Sequence, residues 1–153
     1  NIDALRDWGH ARDYVAMQWM MLQQDVAEDF VIATGKQISV RDFIRLSAEE
    51  LGITLRFEGQ GVDEMAIVER IEGDKAPSLK VGDLIVRVDP RYFRPTEVEF
   101  LLGDPAKAQS ELGWQPQIAF DELVKIMMEA DLAEQEKQLH IKNGGFSVKD
   151  YYE

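Results

Sequence analysis

The chain has 153 residues, 45% hydrophobic and 30% charged, the balance of a soluble globular protein long enough for one core. Seventeen Lys and Arg against 29 Asp and Glu leave a formal charge of −12, which repels nucleic acid and anionic lipid at long range, so neither is an expected partner. With no cysteine and only two distant histidines, His10 and His140, disulfides and thiolate zinc sites are excluded and no metal site is expected.

No apolar run approaches membrane-spanning length and no signal segment opens the chain, so a cytoplasmic setting is expected. The first residue is Asn1 rather than Met, as in a piece of a longer protein or a processed one. Residues 1–12 form a polar lead-in. Asp13 then stands before an apolar series at helical spacing, which predicts a helix over 13–24 with Asp13 as its N-cap. Phe30–Thr34, apolar and β-branched and ending at Gly35, reads as a buried strand. Ser39 with Asp42 three residues on opens a second helix, whose face carries Phe43, Ile44, Leu46 and Leu51, and which ends at Gly52.

Ile53–Phe57 alternates as a strand, and Val62–Ile71 reads as a hairpin strand within the glycine-rich stretch 58–83. Leu84–Val88 is a further strand, stopped by Asp89-Pro90 because proline offers no N–H to a ladder. Asp104-Pro105 starts a short helix that stops at Gly113, and Trp114–Pro116 is a turn. Asp121 caps the longest helix, drawn to Lys137, and residues 140–153 read as a loose tail. The fold class is α/β and helix-rich, with short strands that lack the βαβ alternation of a doubly wound sheet. It divides into a main portion, 1–138, and a tail, 139–153.

Two constellations could hold an anion. In Arg6–Tyr14 two Arg-Asp pairs precede a helix N-terminus, and a guanidinium can grip phosphate through two parallel hydrogen bonds. Local Arg–Asp pairing that orders a loop would account for the same residues. In Asp89–Glu99 (DPRYFRPTEVE), Arg94 and Glu97 stand three apart around Pro95. An arginine can hold a pyrophosphate while a carboxylate accepts two hydrogen bonds from a ribose diol, the adjacent demands of a nucleoside diphosphate. A capped turn after a strand fits that segment equally well. No Gly-x-Gly-x-x-Gly, no Tyr-x-x-x-Lys and no Gly-x-Ser-x-Gly occurs, so the chain shows no credible catalytic set.

The runs Arg6-Asp7-Trp8-Gly9-His10-Ala11-Arg12-Asp13-Tyr14-Val15 and Val88–Val98 resemble the GDP-mannose 4,6-dehydratases. So does Leu102–Ala108 followed by Leu112-Gly113-Trp114-Gln115-Pro116. The last of these is shared more widely among the extended short-chain dehydrogenase/reductases that act on nucleotide sugars. The likeness runs from Asn1 to about Leu132.

It implies the C-terminal, substrate-binding portion of such an enzyme, with the N-terminal Rossmann portion, its glycine fingerprint and its Tyr-Lys pair absent. It implies a lyase that uses NADP to turn GDP-mannose into GDP-4-dehydro-6-deoxy-mannose, for GDP-fucose biosynthesis. Family members assemble as dimers or tetramers, and GDP or GDP-mannose is the implied ligand. Carried over by position, Arg6 and Arg94 would reach the diphosphate and Glu97 the ribose hydroxyls. Arg91, Tyr92 and Asn1 lie beside them. Asp13 matches a helix-starting position, and Lys107 and Trp114 look like fold residues. Two alternatives stay open: a non-catalytic GDP-sugar-binding module, and a portion of another nucleotide-sugar epimerase or dehydratase.

Overall fold

The computed structural model describes residues 1–94, 98 and 101–147. Strand β1 (Leu5–Arg6) pairs antiparallel with β2 (Ile38–Ser39), Leu5 opposite Ser39. Between them runs helix α1 (Ala11–Leu22), and β2 leads directly into α2 (Val40–Glu50). Strands β3 (Ile53–Glu58), β4 (Met65–Ile71) and β5 (Leu84–Arg87) form an antiparallel meander in the order β3-β4-β5. Helices α3 (Ala106–Leu112) and α4 (Phe120–Asn143) close the described chain.

Two apolar clusters organise these elements. Ala48 of α2 joins Ile53, Leu55, Ala66 and Val68, so α2 covers one face of the meander. Met17 of α1 joins Ala108 and Trp114, with Phe30 and Ile32 packed against them. An aromatic chain connects the helices: Trp8 lies 4.8 Å from Phe43, which lies 5.5 Å from Phe120, ring centre to ring centre.

Local rules explain several boundaries. The Ser39 hydroxyl accepts from the Asp42 N–H at 3.0 Å and donates to the Asp42 carboxylate at 2.7 Å, a reciprocal cap. Gly52, one residue past that helix's C-cap, takes φ 74°, and a Cβ there would come within 2.0 Å of the Glu72 carbonyl oxygen. Gly113 ends α3 in the left-handed region at φ 65°.

Five expectations need correction. The N-cap of α1 is His10, whose Nδ1 accepts from the Arg12 N–H at 3.0 Å. Asp13 lies instead in the first turn and is buried. Its carboxylate accepts from the Gln117 and Ile118 N–H groups at 2.9 and 3.1 Å, while its carbonyl accepts from Trp114 Nε1 at 3.0 Å. It is a long-range tether, in a place where a negative charge also suits the helix dipole.

Phe30–Thr34 is in no ladder among the described residues. Pro105 caps α3, and Asp104 supports that end from one residue earlier by accepting from the Ala106 N–H at 3.0 Å. Helix α4 begins after Ala119 with Asp121 and Glu122 in its first turn and no side-chain cap. It runs unbroken through 138 to Asn143, with His140 and Lys142 in its last turn, so the expected loose tail is helical over 140–143. Residues 148–153 of that tail lie outside the described residues.

Arg41 is the most heavily paired cation described. Its guanidinium binds Asp3 at 2.7 and 2.9 Å, bonds to the buried Glu64, and lies 4.8 Å from the centre of the Phe57 ring. The hydrogen bond from Arg41 is the main reason the Asp3 carboxyl is held below its ordinary range.

Two stability tests follow from these contacts. Asp13→Ala strands two loop N–H groups and is expected to cost about 2–3 kcal/mol, since hydrogen bonds to charged groups contribute about 1.5–3 kcal/mol. Urea midpoints of the two proteins measure it, with Asp13→Asn falling between them. Asp3, whose carboxyl is lowered on folding, contributes stability that is present above the ordinary aspartate range near pH 4 and is lost as pH falls through its lowered folded value. Asp3→Asn therefore flattens the acid limb of the stability curve. Arg41→Gln destabilises at neutral pH as well, because it leaves Glu64 buried without its partner.

Candidate functional site

The β1–β2 pairing fixes the backbone at Arg6, and three contacts build a site around it. Arg6 Nη1 donates to its own neighbour's carbonyl, Leu5, at 2.8 Å, and to the Val98 carbonyl, 92 residues away, at 2.9 Å. The Leu101 N–H donates to the Leu5 carbonyl at 3.4 Å, so both Val98 and Leu101 meet β1.

Asp7 does not pair with Arg6 as a local loop clasp would require. It accepts from the Thr34 N–H at 2.8 Å, from the Thr34 hydroxyl at 2.5 Å and from the Gly35 N–H at 2.9 Å, fixing the 34–35 turn. Trp8 Nε1 donates to the Ile38 carbonyl at 3.0 Å. Gly9 leaves room for Tyr14, whose hydroxyl would lie 2.6 Å from a Cβ at that position.

Arg6, Tyr14, Val31, Leu101 and Gly103 border an open groove of about 310 Å³. Burial pushes the Tyr14 hydroxyl up, and the charges of Asp7 and Asp13 push it further. Tyr14 therefore stays a neutral hydrogen-bond donor at the groove's edge.

On the second segment, Asp89 makes a tight turn. Its carboxylate accepts from the Arg91 N–H at 2.9 Å and from the Arg91 side chain at 2.7 Å, and Arg91 holds that carboxyl below the usual range. Arg91 is thus engaged, with its guanidinium also 5.5 Å from the Tyr92 ring centre, although the pair is solvent-exposed and easily exchanged. Phe93 anchors the segment: its ring lies 3.8 Å from where a Cβ on Gly61 would stand. Arg94 is exposed and has no hydrogen bond or ion pair among the described residues. Glu97, the expected ribose ligand, lies outside the described residues.

A second cavity, about 370 Å³, is bordered by Asn1, Asp3, Arg41, Phe57, Gly61 and Glu64. Asn1 therefore borders the Arg41 cavity rather than the Arg6 groove. Sequence reasoning missed Arg41, because its partners are 38 and 23 residues away and nothing local marks it. Lys107 and Trp114 occupy fold positions: Lys107 binds Glu28 at 2.7 Å and caps the Phe30 ring at 4.5 Å, and Trp114 is buried.

This geometry offers one cation hydrogen-bonded to a main-chain carbonyl and another open to solvent. Of the two, Arg6 borders the groove of ligand size, where its charge suits an anion.

The model of the family described as GDP-mannose 4,6 dehydratase matches residues 1–127. Over 148 residues the chain is 64% identical to a GDP-mannose 4,6-dehydratase of Vibrio cholerae, covering 97% of this chain and 40% of that protein. It is 48% identical over 132 residues to the human GDP-mannose 4,6 dehydratase, covering 86% of this chain and 33% of that one. The chain thus spans about 40% of the length of its bacterial relatives.

Among solved structures, RMD from Pseudomonas aeruginosa complexed with NADPH matches with a TM-score of 0.57 at 17% identity, over 88% of this chain and 35% of that one. The Bordetella bronchiseptica enzyme WbmG in complex with NAD and UDP matches with a TM-score of 0.55 at 16% identity, over 88% of this chain and 34% of that one. At such identities the likeness concerns the fold. The family match, in contrast, runs through both the Arg6 and the Arg94 segments, and this chain belongs to the GDP-mannose 4,6-dehydratase family.

Proposed function

We propose that this chain is the C-terminal, substrate-holding portion of a GDP-mannose 4,6-dehydratase of the extended short-chain dehydrogenase/reductase group. Arg6 and Arg94 grip the diphosphate of GDP-mannose and Glu97 accepts from the ribose diol, with Arg91 in reserve beside them. The observation that supports this reading is the Arg6–Val98 hydrogen bond, which brings a residue four positions past Arg94 to Arg6. Residues 1–138 hold the nucleotide sugar, and 139–153 stay outside the site.

The reaction is loss of water from GDP-mannose to give GDP-4-dehydro-6-deoxy-mannose, on the route to GDP-fucose, in a cytoplasmic homo-oligomer. Its cofactor, NADP, does not fit this chain. There is no Gly-x-Gly-x-x-Gly turn to take a pyrophosphate, and the described strands pair only antiparallel, without a strand–turn–helix crossover. The dinucleotide site and the reacting groups therefore belong to the part of the enzyme this chain does not span, and the chain alone is inactive.

What these residues contribute is position. An anion held at its diphosphate and ribose leaves its hexose one defined place to lie, and such fixation lowers a barrier by removing orientational freedom. The solvent-facing Arg94 suits this task, since among the described residues it has no partner to give up when it takes a phosphate.

Calorimetric titration of the chain with GDP tests the grip. Arg94→Ala is expected to weaken binding about 10- to 100-fold, the equivalent of about 1.5–3 kcal/mol for a charged hydrogen bond, and Arg94→Lys to recover part of it. Arg12→Ala, on the exposed side of α1, is expected to leave affinity unchanged. In the whole enzyme the same Arg94→Ala change raises KM for GDP-mannose. An unchanged KM and turnover would remove Arg94 from the site.

A further inference from the structure

Helix α4 outruns the body it packs on. Its first turns are seated: Leu123 and Val124 are buried, and the Phe120 ring meets Phe43. From Glu129 to Asn143 no residue is buried. Among the described residues, the side-chain hydrogen bonds and ion pairs of that stretch all stay within the helix: Lys125 meets Glu129, and Lys137 and Gln138 meet Glu134. At about 1.5 Å per residue, roughly 22 Å of helix carries no core residue. The family match ends at residue 127, before this stretch begins.

A free helix of that length is marginal in water, because helical stability in proteins comes mainly from a packed apolar face. This one has such a face. Met128, Leu132 and Leu139 stand at the spacing of a helix-pairing seam, with Gln135 between them, and Leu139 is 59% exposed. Phe146, 72% exposed, adds apolar area past the last turn. Charge is divided along the same stretch. Glu129, Asp131, Glu134 and Glu136 come first, and Lys137, His140 and Lys142 follow. Two such helices laid antiparallel, crossing between Glu136 and Lys137, set each acidic half against the other's basic half. Asp131 then faces Lys142 and Glu136 faces Lys137, whereas a parallel pair opposes like charges.

We infer that residues 129–143 of α4 dock antiparallel on the same stretch of a second copy of this chain. The inference goes beyond the homo-oligomer of the proposed enzyme, since it names a contact surface outside the family match and made of none of the arginine-site residues. The net charge of −12 opposes association at long range. Salt screens that repulsion beyond about 8 Å at physiological ionic strength, whereas the facing halves meet in contact.

Sedimentation equilibrium of the chain over a range of micromolar concentrations tests it. The mass is expected to rise from 17.5 kDa toward twice that value, and to fall back as salt is raised. Leu139→Glu weakens pairing about tenfold or more, since it puts a charge in the seam. Lys137→Glu with Lys142→Glu weakens it to a similar degree. Adding Asp131→Lys and Glu136→Lys to that variant restores pairing, which a mere loss of helix would not allow. A single 17.5 kDa species at every concentration overturns the inference. So does a pair that persists in both weakened variants, which places the contact elsewhere, or a charge-swapped variant that fails to recover. GDP titration of Leu139→Glu is read separately: its affinity is expected to match that of the unaltered chain, so the pairing and the substrate-holding reading can each fail alone.

Discussion

The first turn of α1 is the joint on which the described chain depends. Asp13 spends both its carboxylate and its carbonyl on residues more than 100 positions away, taking the Gln117 and Ile118 N–H groups on one and Trp114 Nε1 on the other. Few apolar contacts could position that turn so sharply, since hydrophobic burial is non-directional whereas three hydrogen bonds on one residue define both place and orientation. The consequence reaches α4, which starts at Phe120, two residues after the tethered loop, and whose Phe120 ring completes the Trp8–Phe43 aromatic chain. Without the tether the loop from 113 to 119 would have no fixed course, and the Trp8 side of the candidate site would lose its backing.

The arginine site is built on that joint by short-range means. Asp7 turns the chain at 34–35, Trp8 fastens to Ile38, and the two-residue β1–β2 pairing holds Arg6 in register. The reach of Arg6 to the Val98 carbonyl then spans 92 residues of sequence. A guanidinium is suited to such a reach, having five donors in one plane.

How far the sequence could be read follows from where each residue's partner lies. The Ser39 cap, the Gly52 and Gly113 stops and the three strands of the meander were all legible, because their causes act within a turn or two or along a strand's own alternation. Asp13 was read as a cap because its composition and place were right for one; its partners, in the loop before α4, left no local trace. Arg41 was invisible for the same reason. Phe30–Thr34 shows the converse: the local signal for a strand is strong, and the described residues supply no second strand to answer it. Of the candidate site, Arg6 and Arg94 were marked by neighbouring motifs, while the Asp7 turn and the Arg6–Val98 crossing emerged only from the fold.

Charge gives the last constraint on what the site can hold. With 29 acidic against 17 basic side chains, carboxylates outnumber the cations they can bind. Arg41, Arg45, Arg56, Arg70, Arg91 and Lys107 each bind a carboxylate in the fold. Arg94, on a segment anchored by Phe93, has no ion pair among the described residues. An unpaired guanidinium in an acidic protein keeps its full electrostatic pull for an incoming anion, while the surrounding carboxylates repel anions that approach anywhere else. With a net charge of −12, the local placement of cations thus decides where this chain could receive an anion.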